Sequence, residues 1–149
     1  MISLTIDHGK AFGQYLLLLD GLQEALDPEE ILDQAASALL SRTYRRFKAK
    51  RTPDGRPWKV SKASQIRQRG GYTWSNGKKW TGGDVLYASG RLFSSFDIID
   101  DGVGQRRIVN TAPYAKYLNG DPNYEFLGAG EQDIQVILNI INYRISKAK

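Results

Sequence analysis

The chain has 149 residues, 21 Lys and Arg against 16 Asp and Glu, a single His, three Trp and no Cys. That length suffices for one domain with its own core, and 41% apolar with 25% charged residues is ordinary globular composition. Without cysteine there are no disulfides or thiolate metal sites; no apolar run approaches the ~20 residues that cross a bilayer, and Met1-Ile-Ser-Leu-Thr-Ile-Asp7 lacks the basic start and cleavage site of a secretion leader.

Ile2, Leu4 and Ile6 alternate with polar residues, which predicts a short strand. Phe12, Tyr15, Leu16, Leu19, Leu22 and Leu26 fall at helical spacing and predict a first helix. Asp27-Pro28-Glu29-Glu30 is a strong start for a second one. Asp27 serves as cap, Pro28 fits the first helical position, and Glu30 would complete a capping box. The stripe Ile31, Leu32, Ala35, Ala36, Leu39, Leu40, Tyr44 and Phe47 carries this helix to about Lys50, where Pro53 and Gly55 end it.

From Thr52 to Gly83 aliphatic residues are few and turn formers many, which predicts a basic loop or hairpin arm (52–83) within a single domain (1–149). Asn76-Gly77 suggests a two-residue hairpin pairing Trp74 with Lys79 and Thr73 with Trp80, leaving aromatics on both sides of a thin ribbon. With Ile66 as the sole aliphatic residue after Ser61, this stretch is expected to order only against a neighbouring molecule. Beyond it, Phe93–Ile99 and Val103–Val109 read as strands around Asp100-Asp101-Gly102. Tyr114, Ala115 and Tyr117 sit in a short helical turn, and Gln132–Lys147 forms a last helix. The fold class is therefore α+β: two N-terminal helices and a C-terminal helix on a small antiparallel sheet.

Catalytic chemistry has little support. His8 lies beside Asp7 near a chain end with no nucleophile motif or metal-ligand spacing around it. Asp100-Asp101 before Gly102 are turn residues. Gly70-Gly71 and Gly82-Gly83 do not join a strand to a helix start, as a phosphate-cradling loop must. No enzyme, cofactor or metal is expected. Trp58 is either an exposed binding anchor or a lock that folds the Pro-Asp-Gly turn onto the helices; burial is favoured because aromatics dominate small cores.

Charge is distributed unevenly. Arg42 to Lys79 holds thirteen Lys and Arg against Asp54 alone, a net +12, so the remainder carries −7. Arg45, Arg46, Lys48, Lys50 and Arg51 complement a helix C-terminus, which does not account for Arg56, Lys59, Lys62, Arg67, Arg69, Lys78 and Lys79. These predict contact with nucleic acid, read without sequence preference, or with an acidic protein surface. Residues 1–41 carry net −6, so an identical neighbour offers such a surface, and head-to-tail ring contact is preferred while compatible with DNA contact. A nucleic-acid-binding module is the alternative, since Tyr44, Phe47, Trp58, Tyr72, Trp74 and Trp80 interleave with the cations.

Pro53-Asp-Gly-Arg-Pro-Trp58, Leu86 with Ser89-Gly90-Arg91-Leu92, Tyr114-Ala115 with Gly120, and Phe126-Leu127-Gly128 with Asp133 occur in order across nearly the whole chain. Together they resemble the virion morphogenesis (tail completion) family of Mu-like and related tailed bacteriophages. Two places depart from its pattern: Leu118-Asn119 stands where a His or Gln is usual, and Pro122-Asn-Tyr-Glu125 replaces a basic Pro-x-Arg. The resemblance implies a non-enzymatic virion protein, assembled in the host cytoplasm, at the head–tail junction or upper tail. It implies a homo-oligomeric ring, a hexamer by analogy, joining the neck or connector to the tail tube or sheath, with tail terminator and neck component both open. Trp74 and Trp80 join the basic residues as expected assembly or channel-DNA contacts. Pro53, Gly55, Trp58, Gly90, Leu92, Tyr114, Gly120, Phe126 and Gly128 are the expected structural positions.

Overall fold

A computed structural model describes residues 1–7, 27–73, 75–80 and 85–148. The expected first helix over Phe12–Leu26, together with His8, Trp74 and Gly82-Gly83, lies outside the described residues. The elements are β1 (Ile2–Asp7), α1 (Pro28–Ala49), α2 (Lys62–Gln68), β2 (Tyr72–Thr73), β3 (Lys79–Trp80), α3 (Arg91–Ser94), β4 (Phe96–Asp100), β5 (Gln105–Asn110), α4 (Ala115–Asn119) and α5 (Glu131–Ala148). Among the described residues, five helices, a three-stranded antiparallel sheet of order β1-β5-β4 and a two-stranded β2-β3 sheet make this an α+β fold, as predicted.

α1 organises the molecule because one of its faces is small and apolar over its whole length. Ile31, Leu32, Ala35, Ala36, Leu39, Thr43 and Phe47 are buried along it, and it packs on both the sheet and α5. The helix begins where Asp27 accepts a hydrogen bond from Glu29 N–H (2.9 Å) with Pro28 following. The predicted capping box is not made, since the Glu30 carboxylate accepts from Arg144 of α5 instead. Lys50 in the left-handed region (φ 57) closes the other end. Arg144 meets the start of α1 while Asp133 meets its end, so α5 runs antiparallel to α1.

In the sheet Leu4, Ile108 and Ile98 share one row and Asn110 lies opposite Phe96. Leu4, Ile98, Phe96 and Ile108 join the core beneath α1. At the other end of the strands Arg106 is buried between Glu29 (2.9 Å), Asp33 (2.6 Å) and Asp100 (3.2 Å), which ties the β4–β5 turn to the first turns of α1. Phe93 to Ser95, expected as strand, instead forms α3 and its cap. Gly90 at φ 78 starts this turn, and Leu92 is buried. Its carbonyl accepts from the buried Asn110 Nδ2 (2.8 Å), so a side chain completes what a strand would have paired.

The arm from 52 to 83 contains two surprises. Lys62–Gln68 is helical because Ser61 caps it, accepting from Ser64 N–H (3.1 Å), and no Gly or Pro interrupts it before Gly70. Ser64 and Arg67 are buried, so this part packs within the monomer without needing aliphatic residues. The hairpin exists, but Tyr72 pairs with Trp80 and Thr73 with Lys79, one residue away from the predicted register. A two-residue type I′ turn needs positive φ at both central positions. Only Gly77 has it (φ 76), while Asn76 spends its side chain accepting from Lys78 N–H (3.0 Å), so the turn centres on Asn76.

Candidate assembly interface

The loop that leaves α1 is a small closed unit. Pro53 and Gly55 hold the second and fourth places of a turn, with Gly55 N–H donating to Thr52 O (2.9 Å) and Gly55 at φ 86. The buried Thr52 accepts from Arg56 N–H through its hydroxyl (3.1 Å), and Arg51 bridges to Pro57. Trp58, 6% exposed, stacks edge-on against Phe47 (5.0 Å) and donates its indole N–H to Glu125 O (3.0 Å). The lock reading of Trp58 is the one the structure adopts.

Glu125 precedes Phe126-Leu127-Gly128, so two motifs some seventy residues apart are one packed joint. Phe126 is fully buried and meets both Phe47 and Phe96 (5.8 Å each). Asn119 closes the intervening turn. Its oxygen accepts from Phe126 and Leu127 N–H (2.9 and 2.8 Å) while its nitrogen donates to Leu127 O (3.0 Å). Sequence reading missed this role. An Asn at the end of a short helix before a turn is its only local signal.

The joint is completed by charge. Asp133, with no exposed surface, is paired by Arg42 (2.5 Å) and Arg46 and accepts from Gly130 N–H (2.9 Å), as the third residue of a capping box does. Arg46 also donates to Gly128 O (3.1 Å). Burial by itself pushes the Asp133 carboxyl up, but the hydrogen bonds from Arg42 and Gly130 and the charge of Arg46 outweigh it, holding the group below its ordinary value. Backbone approaches closely here: a Cβ on Gly130 would lie 2.4 Å from Pro53 O, whereas one on Gly128 would lie 2.8 Å from the movable Glu125 carboxylate. Gly130→Ala is therefore expected to destabilise the protein by about 1–3 kcal/mol, and Gly128→Ala by less, measured as urea midpoints. Equal midpoints for the two variants would contradict this packing.

The expected contact residues divide into two groups. Arg45, Lys48, Arg51, Arg56, Arg69, Lys78 and Lys79 are exposed and Lys50 half-buried. Arg46 is only 12% exposed and committed to Asp133, and Arg67 is buried, so these two do not present their charge outward as the sequence suggested. Arg51 donates to Gly55 O (2.7 Å) and Arg56 pairs with Asp54 (3.3 Å), so both stay with their own loop. Nothing is described of the Trp80 side chain, and Trp74 lies outside the described residues. Gly90 and Leu92 form the start of α3, Tyr114 half-opens at the start of α4, and Gly120 ends it, donating to Lys116 O (3.1 Å).

These placements give α1 two electrically different ends. Arg45, Lys48, Lys50 and Arg51 gather at its C-terminal end. Asp27, Glu29, Glu30 and Asp33, with Asp100 and Asp101 of the β4–β5 turn, surround the other. Among the described residues no His or acidic cluster is arranged to hold a metal, and no helix is long and apolar enough to cross a membrane.

No curated protein and no solved structure matches the chain. A family model does, described as the phage virion morphogenesis family, over residues 14–102. The match includes α1, the Pro53–Trp58 loop, α2 and the Ser89–Leu92 element, and the packed Phe126–Asp133 joint lies beyond it. Covering more than half of the sequence, it shows that the chain belongs to the phage virion morphogenesis family and serves as a structural or assembly protein of a phage virion.

Proposed function

We propose that this protein completes the tail at the head–tail junction by closing into a ring of roughly six copies, set between the connector and the tail tube. The observation that carries this reading is the separation of charge along α1. Its 22 residues place the acidic and basic ends about 33 Å apart. Opposite patches at opposite ends suit head-to-tail contact between identical subunits, and such a contact closes into a ring when its rotation allows. The closed ring is the whole chain acting as one domain, with the exposed Arg69, Lys78 and Lys79 of the arm reaching a neighbour.

Packaged DNA enters this reading only as the contents of the channel. Tyr44 packs edge-on against Phe93 and Phe96, and Phe47 and Trp58 are buried. Those three rings are thus spent on the core rather than on base stacking. What remains for nucleic acid at this end is phosphate contact by exposed cations.

The test is genetic and visual. Phage lacking this gene should yield full heads and finished tails that stay separate in negative-stain images, and supplying the protein in trans should restore joined particles. Joined, normal particles in the deletion would rule the junction out as its place of action.

A further inference from the structure

We propose that the β4–β5 turn and a groove beside α3 are the two halves of one contact between copies of this chain, Val103 of one copy seating in the groove of the next. The inference rests on the ring reading above and names the contact that would build it.

Val103 is 92% exposed, the most exposed large hydrophobic side chain among the described residues. It is held there by well-anchored backbone. Gly102 and Gly104 flank it in left-handed conformations (φ 99 and 81). Gly102 N–H donates to Asp100 Oδ1 (2.8 Å) and Gly104 N–H to Glu29 Oε1 (2.6 Å). The turn is thus a preformed knob, fixed to the first turn of α1.

The groove has a volume of about 430 Å³ and a mainly apolar wall that includes Leu86, Leu92, Leu118, Tyr114 and Tyr124. That is room for a Val side chain and the glycines beside it. Charge selects the occupant. Among the described residues no acidic one lines the groove, Arg91 lies in its wall, and Lys62 and Lys116 are interleaved with lining residues. Around the knob, Asp100 and Asp101 join Glu29 and Asp33, and outnumber Arg106 and Arg107. The groove adjoins Tyr87 and Phe93, and Phe93 stacks on Tyr44 (4.9 Å) near the end of α1. Knob and groove therefore sit at opposite ends of α1, so one molecule cannot satisfy itself, and a contact made through one knob and one groove leaves the other pair open for the next copy. The contact propagates head to tail.

The experiment uses the full-length protein, with mass measured by light scattering across a concentration series. Val103→Ala should weaken self-association roughly 10-fold and Val103→Asp at least roughly 100-fold, as loss of an apolar anchor and burial of a carboxylate require. Ala63→Trp, an exposed groove-wall position, should block the other half. Val103→Asp and Ala63→Trp should both keep the wild-type circular dichroism and melting temperature. Mixed together they should form one-to-one heterodimers and nothing larger, because one variant retains the groove and the other the knob. Wild-type assembly with undiminished assembly of Val103→Asp overturns the knob and leaves the ring standing. A wild-type protein that stays monomeric at every concentration overturns the ring as well.

Discussion

Replacing Asp133 by Asn should lower the unfolding free energy by about 3–5 kcal/mol, the usual cost of removing one partner from a buried ion pair. The carboxylate is the shared counter-ion of Arg42 and Arg46 and the cap of α5 through Gly130. An amide of the same shape preserves the packing but leaves two guanidinium groups close together without a negative charge between them. It also weakens the bond to Gly130 N–H, at a helix N-terminus where negative charge is favoured. Arg46 then loses its hold beside Gly128, and the joint between the Pro53 loop and α5 loosens.

The pH dependence follows from the same geometry. The folded-state pKa of Asp133 lies below its ordinary value, which in an unfolded chain is near ~3.9. Its contribution is present above that ordinary value, and is lost as pH falls through the depressed folded one. Wild-type stability should therefore decline below about pH 4–5, and Asp133→Asn should decline less steeply over the same range. Urea midpoints at pH 7 and in steps down to pH 3 measure both effects. A variant within 1 kcal/mol of wild type at pH 7, with an unchanged acid slope, would show that the two arginines are satisfied by other groups.

What was legible in the sequence was what local chemistry decides. Asp27-Pro28 starts α1 because both the cap and the fixed proline φ act within one turn, and the Asp100-Asp101-Gly102 turn separates β4 from β5 for the same reason. The ordered motifs pointed to the family, whose model covers the first two of them, and the last placed Asp133 correctly at the opening of α5. The partners of Asp133 were not legible. Arg42 and Arg46 are some ninety residues away and belong to a run of cations that looks uniformly solvent-directed. Arg106 was hidden similarly, since its three carboxylates come from α1 and the neighbouring strand. α2 escaped notice because a capped helix of polar residues leaves no apolar period, and its buried members are Ser64 and Arg67. The hairpin register was missed by one residue because Asn-Gly fits two turn types, and only backbone angles distinguish them.

Trp58→Ala should cost about 3–5 kcal/mol, as large-to-small substitutions of buried aromatics do. The ring fills the space between Phe47 and the 125–126 backbone, and its removal leaves a cavity beside an aromatic cluster whose members are fixed by one another. Trp58→Phe separates packing from hydrogen bonding: it keeps much of the apolar contact but strands Glu125 O, for an expected loss of about 1–3 kcal/mol. Melting curves followed by circular dichroism rank the three proteins, a better probe than fluorescence in a chain with three tryptophans. Assembly supplies the deciding comparison. With Trp58 as an internal lock, Trp58→Phe lowers stability yet assembles normally once folded, since the Arg51–Pro57 loop keeps its own hydrogen bonds. An exposed anchor would give the reverse, near wild-type melting with lost self-association, and that result would return Trp58 to the surface and remove the tie between the loop and the Phe126 joint.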